Sequence, residues 1–181
     1  MDLIDIEKSI AYTLIDNSDP ILKEKTEPFN FDDPQISPEL LASRLGETMI
    51  NNHGIGLAAP QVGIPLSVFV VGDPDNRESV ICMFNPNIVD TFSEDVYYEE
   101  GCLSFPGLYI KIKRPGAIRV RFTDMNGETT TTKYSGMTAR TIQHEYDHLQ
   151  GTLYQTRANR IHRDRAMKQY KLYMRRRKKA K

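Results

Sequence analysis

The sequence predicts an α+β fold with mostly antiparallel strands and with helices set apart from them along the chain. Apolar residues recur at helical spacing near both ends of the 181-residue chain. Between these two regions, several short segments have the apolar runs or the alternation of strands, and turn residues separate them. We therefore expect an antiparallel sheet, an N-terminal helix and two C-terminal helices.

The N-terminal region begins with an extended loop at 20–36, which is rich in Pro, Asp and Glu. Ser-Pro-Glu at 37–39 has the chemistry of a helix start: a capping hydroxyl, a proline in the first turn and an early acid. Leucines at helical spacing lead to Met49, and Gly54 ends the predicted helix.

The middle of the chain has strand patterns. SVFVVG and SVICMFNP are apolar runs, whereas LYIKIKR and AIRVRFTD alternate apolar with polar residues. A Met-Asn-Gly turn then connects to ETTTTKY as a hairpin. The predicted strands cover, in order, 67–72, 79–86, 108–114, 117–124 and 128–134. A helix from about Ser135 to Leu149, stopped by Gly151, and a basic helix at 157–175 follow.

Composition indicates one globular domain spanning 1–181. The first ten residues lack the basic start and apolar run of a signal peptide, and no stretch reaches the roughly 20 apolar residues of a membrane span. Two cysteines do not suggest a disulfide framework. We expect a protein of the cytoplasm or of an organelle matrix or stroma, neither secreted nor bound to a membrane.

The net charge of zero conceals a basic C-terminal tail. Residues 157–181 contain 12 lysines and arginines against one acid, so they carry +11, and the preceding 156 residues carry −11. A polyanion such as RNA is one expected partner of this tail. A solvated terminal helix without a partner is the other interpretation.

The stretch QHEYDH at 143–148 suggests a metal site. His144 and His148 are four residues apart, so on a helix both imidazoles project from one face. Glu145 lies next to the first histidine, where it can handle the protons of a water molecule. The apolar pattern around the motif predicts a buried helix, in which two histidines need partners.

A third ligand is expected upstream of this helix. Downstream, His162 and Asp164 lie in a basic run that does not suggest a return to a buried site. Upstream, Cys102 stands in EEGCLSFPG, and a thiolate with two imidazoles is a plausible tetrahedral site for Zn²⁺ or Fe²⁺. Inert core packing is the alternative for a single cysteine, and we assign it to Cys82.

The stretch HGIGLAAPQVG at 53–63 is a third candidate. It lacks a complete GxGxxG pattern and no strand precedes it, so a nucleotide loop is not favoured. A close backbone approach that lines a cleft is the alternative. There the amide of Gln61 could stabilise an oxyanion.

Together, GIGLAAPQ, EGCLS and QHEYDH make the sequence resemble the peptide deformylases, in the order and at separations typical of that family. The resemblance runs from about Asp19 to Tyr154 and is closest to the bacterial and organellar type that includes plastid enzymes. It implies an α+β fold with antiparallel sheets around a central HExxH helix.

The resemblance also assigns residues. It implies that Cys102, His144 and His148 bind the metal and that Glu145 is the general base and acid. It implies that Gln61 and the backbone N–H of Leu103 hold the formyl oxygen as it becomes an oxyanion. The implied peptide contacts are Ile55, Gly56, Arg114 and, through its aliphatic stem, Arg140.

The implied reaction removes the formyl group from the N-terminal formylmethionine of nascent polypeptides and releases formate. The implied cofactor is one divalent ion, natively Fe²⁺, which Zn²⁺, Ni²⁺ or Co²⁺ can replace. We expect a monomer whose basic tail contacts the ribosome. Two rival interpretations are a zincin-type endopeptidase and a non-catalytic metal- or RNA-binding protein. Glu145 and Gln61 argue against the second, because neither is needed merely to hold a metal.

Overall fold

The computed structural model describes residues 11–179, and the α+β prediction is confirmed within them. The strands of this part of the chain form an antiparallel sheet with the order β1-β2-β3-β4-β5. The strands are β1 (Gly56–Ala58), β2 (Val68–Asp73), β3 (Asn76–Glu100), β4 (Ile110–Thr123) and β5 (Thr129–Ser135). The helices are α1 (Pro38–Asn51), α2 (Gly136–Leu149) and α3 (Arg160–Lys179). The first ten residues, on which the signal-peptide expectation depends, and the last two of the basic tail lie outside the described residues.

Helix α1 begins as its sequence predicts. The hydroxyl of Ser37 accepts a hydrogen bond from the backbone N–H of Leu40, which is one of the donors that a helix start leaves unpaired. Proline in the first turn costs no hydrogen bond, because the backbone N–H groups at that position have no partner within the helix. The buried face of the helix includes Leu41, Leu45 and Met49.

The centre of the sheet is covered on both faces. Val68 and Val70 of β2 share a buried cluster with α1, whereas Phe69 and Val71 belong to a second cluster with α2. Side chains alternate between the faces of a strand, so a strand covered on both faces reads as a continuous apolar run. Cys82, which pairs with Val70, lies in the cluster on the α1 side.

Strands β3 and β4 are longer than their sequence patterns predicted. The predicted strand 79–86 extends to Glu100, and the two predicted strands 108–114 and 117–124 form one strand. Their pairing shifts register three times, and each shift breaks the alternation of inward and outward residues. The full lengths of these two strands therefore do not appear as a regular alternation of apolar and polar residues in the sequence. The long pair carries Glu100, and the segment after it carries Cys102, to the middle of the molecule.

Helix α2 is buried as predicted. Ala139, Ile142 and Leu149 pack against the sheet, and His144, Glu145 and His148 are each at most 7% exposed. No helix in the described part of the chain has the length and apolar character needed to cross a membrane.

The end of α2 is tied to the N-terminal segment at Gly151. This residue has a φ of +64°, and a Cβ atom placed on it would lie 2.5 Å from the carbonyl oxygen of Lys23. Nearby, the N–H of Thr26 donates to the carbonyl of Leu149 over 3.0 Å. Only glycine allows both the left-handed conformation and this close approach.

We predict that Gly151→Ala destabilises the fold more than Gly136→Ala. Gly136 has a similar φ of +60° with nothing within 4 Å of its missing Cβ, so alanine there costs only backbone strain, about 1 kcal/mol. At Gly151 the backbone of Lys23 must also move, and we expect a loss above about 2 kcal/mol. Urea unfolding measures both values. Equal losses would mean that the contact with Lys23 relaxes freely.

Candidate metal centre and substrate cavity

Three predicted ligands converge on one point. The ligand atoms of Cys102, His144 and His148 lie within 4.8 Å of one another, and the Sγ of Cys102 is 3.3 Å from the Nε2 of His148. Such spacing suits donors that share one ion at bond lengths of about 2.0–2.3 Å. Burial alone would raise the pKa of Cys102, but the two imidazoles outweigh it and hold that pKa well below its usual range. The cysteine is therefore a thiolate, the form that binds metal.

A buried polar atom beside the ligands also fits a metal. Among the described residues, the Oε2 of Glu145 is buried without a hydrogen-bond partner. Buried polar atoms without partners are costly and unusual. A divalent ion with its water would supply charge and hydrogen-bonding capacity at this point. One soft sulfur and two imidazole nitrogens form a donor set for Zn²⁺ or Fe²⁺.

Glu100 orients one of the ligands. Its Oε2 lies 3.1 Å from the Nδ1 of His144, which leaves the Nε2 of that ring for the ion. Burial would raise the pKa of Glu100, but hydrogen bonds from His144 and Arg114 lower it to about 2. The carboxylate therefore stays ionised and fixes the tautomer of the imidazole.

Glu100 is itself held by two arginines. Arg114 donates to both of its oxygens, over 2.7 and 2.9 Å, and Arg140 donates over 2.6 Å. Arg114 also donates over 2.8 Å to Asp147 of α2, which Arg157 contacts over 2.6 Å. Charges buried in this way are stable only when each has a close opposite partner.

This network includes one residue that was expected to contact the bound peptide. Arg114 is 5% exposed, it is not among the residues that line the cavity, and its guanidinium is engaged by Glu100 and Asp147. It joins β4 to β3 and α2. Arg140 does line the cavity, and its guanidinium points to Glu100 and to the carbonyl of Val96.

Glu145 faces the backbone of Gly56. A Cβ atom on Gly56 would collide with the Glu145 carboxylate and would lie 2.7 Å from Thr141, so the missing side chain gives that carboxylate its place. Burial raises the pKa of Glu145 to about 7. A carboxyl group with such a pKa can accept and return a proton near neutral pH.

Gln61 is held in one orientation. Its carbonyl oxygen accepts a bond from the N–H of Ala58 over 2.9 Å, so its NH₂ group must face the other way. That group lies 3.0 Å from the hydroxyl of Ser104 and 3.5 Å from the Sγ of Cys102. The side chain thus presents a fixed hydrogen-bond donor beside the ligands.

A cavity of about 690 Å³ opens onto the centre. Its lining includes every predicted site residue except His148 and Arg114: Ile55, Gly56, Gln61, Cys102, Leu103, Arg140, His144 and Glu145. Apolar residues such as Met137, Phe105 and Leu108 line it as well. The arrangement can hold an apolar side chain beside a polar reaction centre.

The sequence reasoning missed Glu100 and Asp147. Both are acids at buried positions, where a charge needs a partner. The sequence signal that could have identified them is their position beside motifs that were predicted to be buried. Glu100 directly precedes the apolar turn of Cys102, and Asp147 lies between the two histidines of a helix predicted to be buried. The arginines that compensate them lie elsewhere in the chain and could not be assigned.

Comparisons with known proteins agree with the geometry. The model of the polypeptide deformylase family matches residues 11–164. A peptide deformylase of Christiangramia forsetii is 38% identical over 156 residues, 78% of each chain. The crystal structure of a peptide deformylase from Synechococcus elongatus in complex with actinonin has a TM-score of 0.79 at 33% identity, over 87% of this chain and 86% of that one. A plant peptide deformylase has a TM-score of 0.82 at 30% identity, over 93% and 92%. The family model, the curated relatives and the solved structures all lead to one conclusion: this chain belongs to the peptide deformylase family.

Proposed function

We propose that this chain carries out the family's reaction through the centre described above. That reaction is the metal-dependent removal of the N-formyl group from the N-terminal formylmethionine of nascent polypeptides, with release of formate. The observation that carries the proposal is the convergence of a thiolate and two imidazoles beside a buried carboxylate, at the base of a cavity.

Cys102, His144 and His148 would hold one divalent ion, which we propose to be Fe²⁺ natively and replaceable by Zn²⁺, Ni²⁺ or Co²⁺. When bound, such an ion lowers the pKa of water and polarises a carbonyl group. Three protein ligands leave a further position open, as in other catalytic sites.

Glu145 would move the protons. It takes one from the attacking water as the formyl carbon becomes tetrahedral, and it gives one to the departing amine nitrogen. Its raised pKa suits both transfers, because neither protonation state is strongly favoured near neutral pH.

Gln61 and the backbone N–H of Leu103 would stabilise the oxyanion. The amide of Gln61 is already oriented by Ala58, so no reorganisation is needed when negative charge develops on the formyl oxygen. Ile55 and Gly56, at the cavity wall, would contact the peptide, and the stem of Arg140 would line the space for the methionine side chain.

The preference for a formyl group follows from space. A formyl carbon bears hydrogen where an internal peptide bond bears a chain, so an enclosed centre admits the first and excludes the second. The test is formate release from formyl-Met-Ala-Ser by the metal-loaded protein. Cleavage of an internal bond with no formate released would favour the endopeptidase interpretation.

We further propose that residues 1–181 act as one monomeric domain, in the cytoplasm or in an organelle matrix or stroma. The basic tail would contact ribosomal RNA near the site where nascent chains emerge. In its support, α3 carries eight arginines and lysines and one acid between Arg160 and Arg177, most of them exposed.

We predict that Glu145→Gln retains the metal and loses at least 10²–10⁴-fold in kcat, the usual contribution of a general acid–base group. The amide has the shape of the carboxylate but cannot carry the proton. Metal analysis and formate release give both results. Glu128→Gln, at an exposed turn between β4 and β5, should behave as the unchanged protein. Full turnover by a metal-loaded Glu145→Gln protein would rule out this role.

We predict that Cys102→Ala loses the metal, whereas Cys82→Ala keeps it. Cys82 is buried on the α1 side of the sheet, where burial raises its pKa and keeps it a neutral thiol, so its loss costs only core packing. Metal analysis after gel filtration compares the two variants. One tightly bound ion in Cys102→Ala would place the third ligand elsewhere.

We predict that deleting residues 175–181 leaves hydrolysis of formyl-Met-Ala-Ser unchanged and weakens ribosome binding. Ribosome binding by the full chain should fall steeply with salt, as expected for contacts to phosphates. Arg175, Arg176 and Arg177 all changed to Gln keep the length of the chain and should weaken binding in the same direction. Salt-insensitive binding that is equal in all forms would show that the tail is only solvated.

A further inference from the structure

Residues 105–109, here called the wall loop, form one side of the substrate cavity. The loop begins three residues after Cys102 and ends at β4. The N–H of Phe105 donates to the carbonyl of Cys102 over 2.9 Å, and the N–H of Leu108 donates to the carbonyl of Phe105 over 3.1 Å. The position of the loop therefore decides the shape of the cavity close to the metal ligands.

The two halves of the wall loop are held by different elements. The carbonyl of Leu108 accepts a hydrogen bond from the hydroxyl of Tyr154 over 2.8 Å, and the side chain of Leu108 is buried. Gly107 has no side chain to pack, and its φ of +88° is a conformation that other residues rarely adopt. The part of the loop around Gly107 is therefore held by a contact that another element makes with its backbone.

That contact comes from α3. A Cβ atom on Gly107 would fall on the ring of Tyr173, so the ring lies directly against the backbone of the loop. Tyr173 stacks on Tyr170 with ring centroids 6.4 Å apart. Ala166 and Tyr170 pack on the cluster of Leu108 and Ile110. At spacings of three and four residues these side chains share one face of the helix.

From these contacts we infer that Tyr173 is a positioning residue of the substrate cavity, acting through the wall loop. The inference rests on the proposed function, because it concerns how the formyl peptide is bound. The ring fixes Gly107 and thereby the cavity side of the loop, while the chemical groups on α2 are held by other contacts. Loss of the ring should thus weaken substrate binding more than it slows the chemical step.

The kinetic test uses three variants of the full, metal-loaded chain. Tyr173→Ala should raise KM for formyl-Met-Ala-Ser roughly fivefold, the size expected for one aromatic contact, with little change in kcat. Tyr173→Phe keeps the ring, so its KM should equal that of the unchanged chain. Leu172→Ala, next to it on α3 and about half exposed, is the matched control and should leave KM unchanged.

Hydrogen exchange gives a second readout that needs no turnover. In Tyr173→Ala the amides of Phe105 and Leu108 should exchange faster, whereas amides of α2 should not change. An unaltered KM and unaltered exchange in a folded Tyr173→Ala protein would overturn the inference. So would an equal rise in KM for Leu172→Ala. Absence of formate release by the unchanged chain would instead overturn the proposed function, and the exchange result would still decide the role of Tyr173.

Discussion

The buried carboxylate of Glu100 is the constraint on which the centre depends. It stands at the end of β3 and accepts bonds from Arg114 of β4 and from Arg140 and His144 of α2. An uncompensated charge at this depth would cost several kcal/mol. The two strands and the helix must therefore keep their relative positions for the charge to remain paired. The same requirement aims one imidazole at the ligand position, so the stability of the fold and the geometry of the centre rest on a single group.

The centre also needs places where side chains are small or constrained. Gly56 leaves room for the carboxylate of Glu145, and Gln61 is turned by its bond from Ala58 so that its donor faces Cys102. Gly56 begins β1, and Gln61 lies in the helical turn (Ala59–Val62) that directly follows this strand. The turn after β1 thus brings the oxyanion donor, and α2 brings the proton carrier. Neither element would be adequate alone.

Local chemistry made much of this predictable. The capped start of α1, the apolar run of β2 and the HExxH helix follow from residues close in sequence, and the three motifs identified the family. What could not be predicted depends on distant partners. The register shifts hid the full length of β3, and the role of Arg114 depends on Asp147, 33 residues away. An alternating strand gives no sign that one of its inward residues meets an acid from another element. The roles of the individual site residues remain predictions, although their proximity is now described.

The separation of the site residues along the chain has a consequence for how the centre forms. Gln61 and Cys102 are 41 residues apart, and Cys102 and His148 are 46 apart. Contacts between such distant residues form late in folding, because the entropy of closing long loops must first be overcome. No short fragment of the chain contains a thiolate, two imidazoles and the amide donor together. While the chain is being synthesised, the centre therefore becomes complete only once residue 148 has emerged and α2 has docked on the sheet.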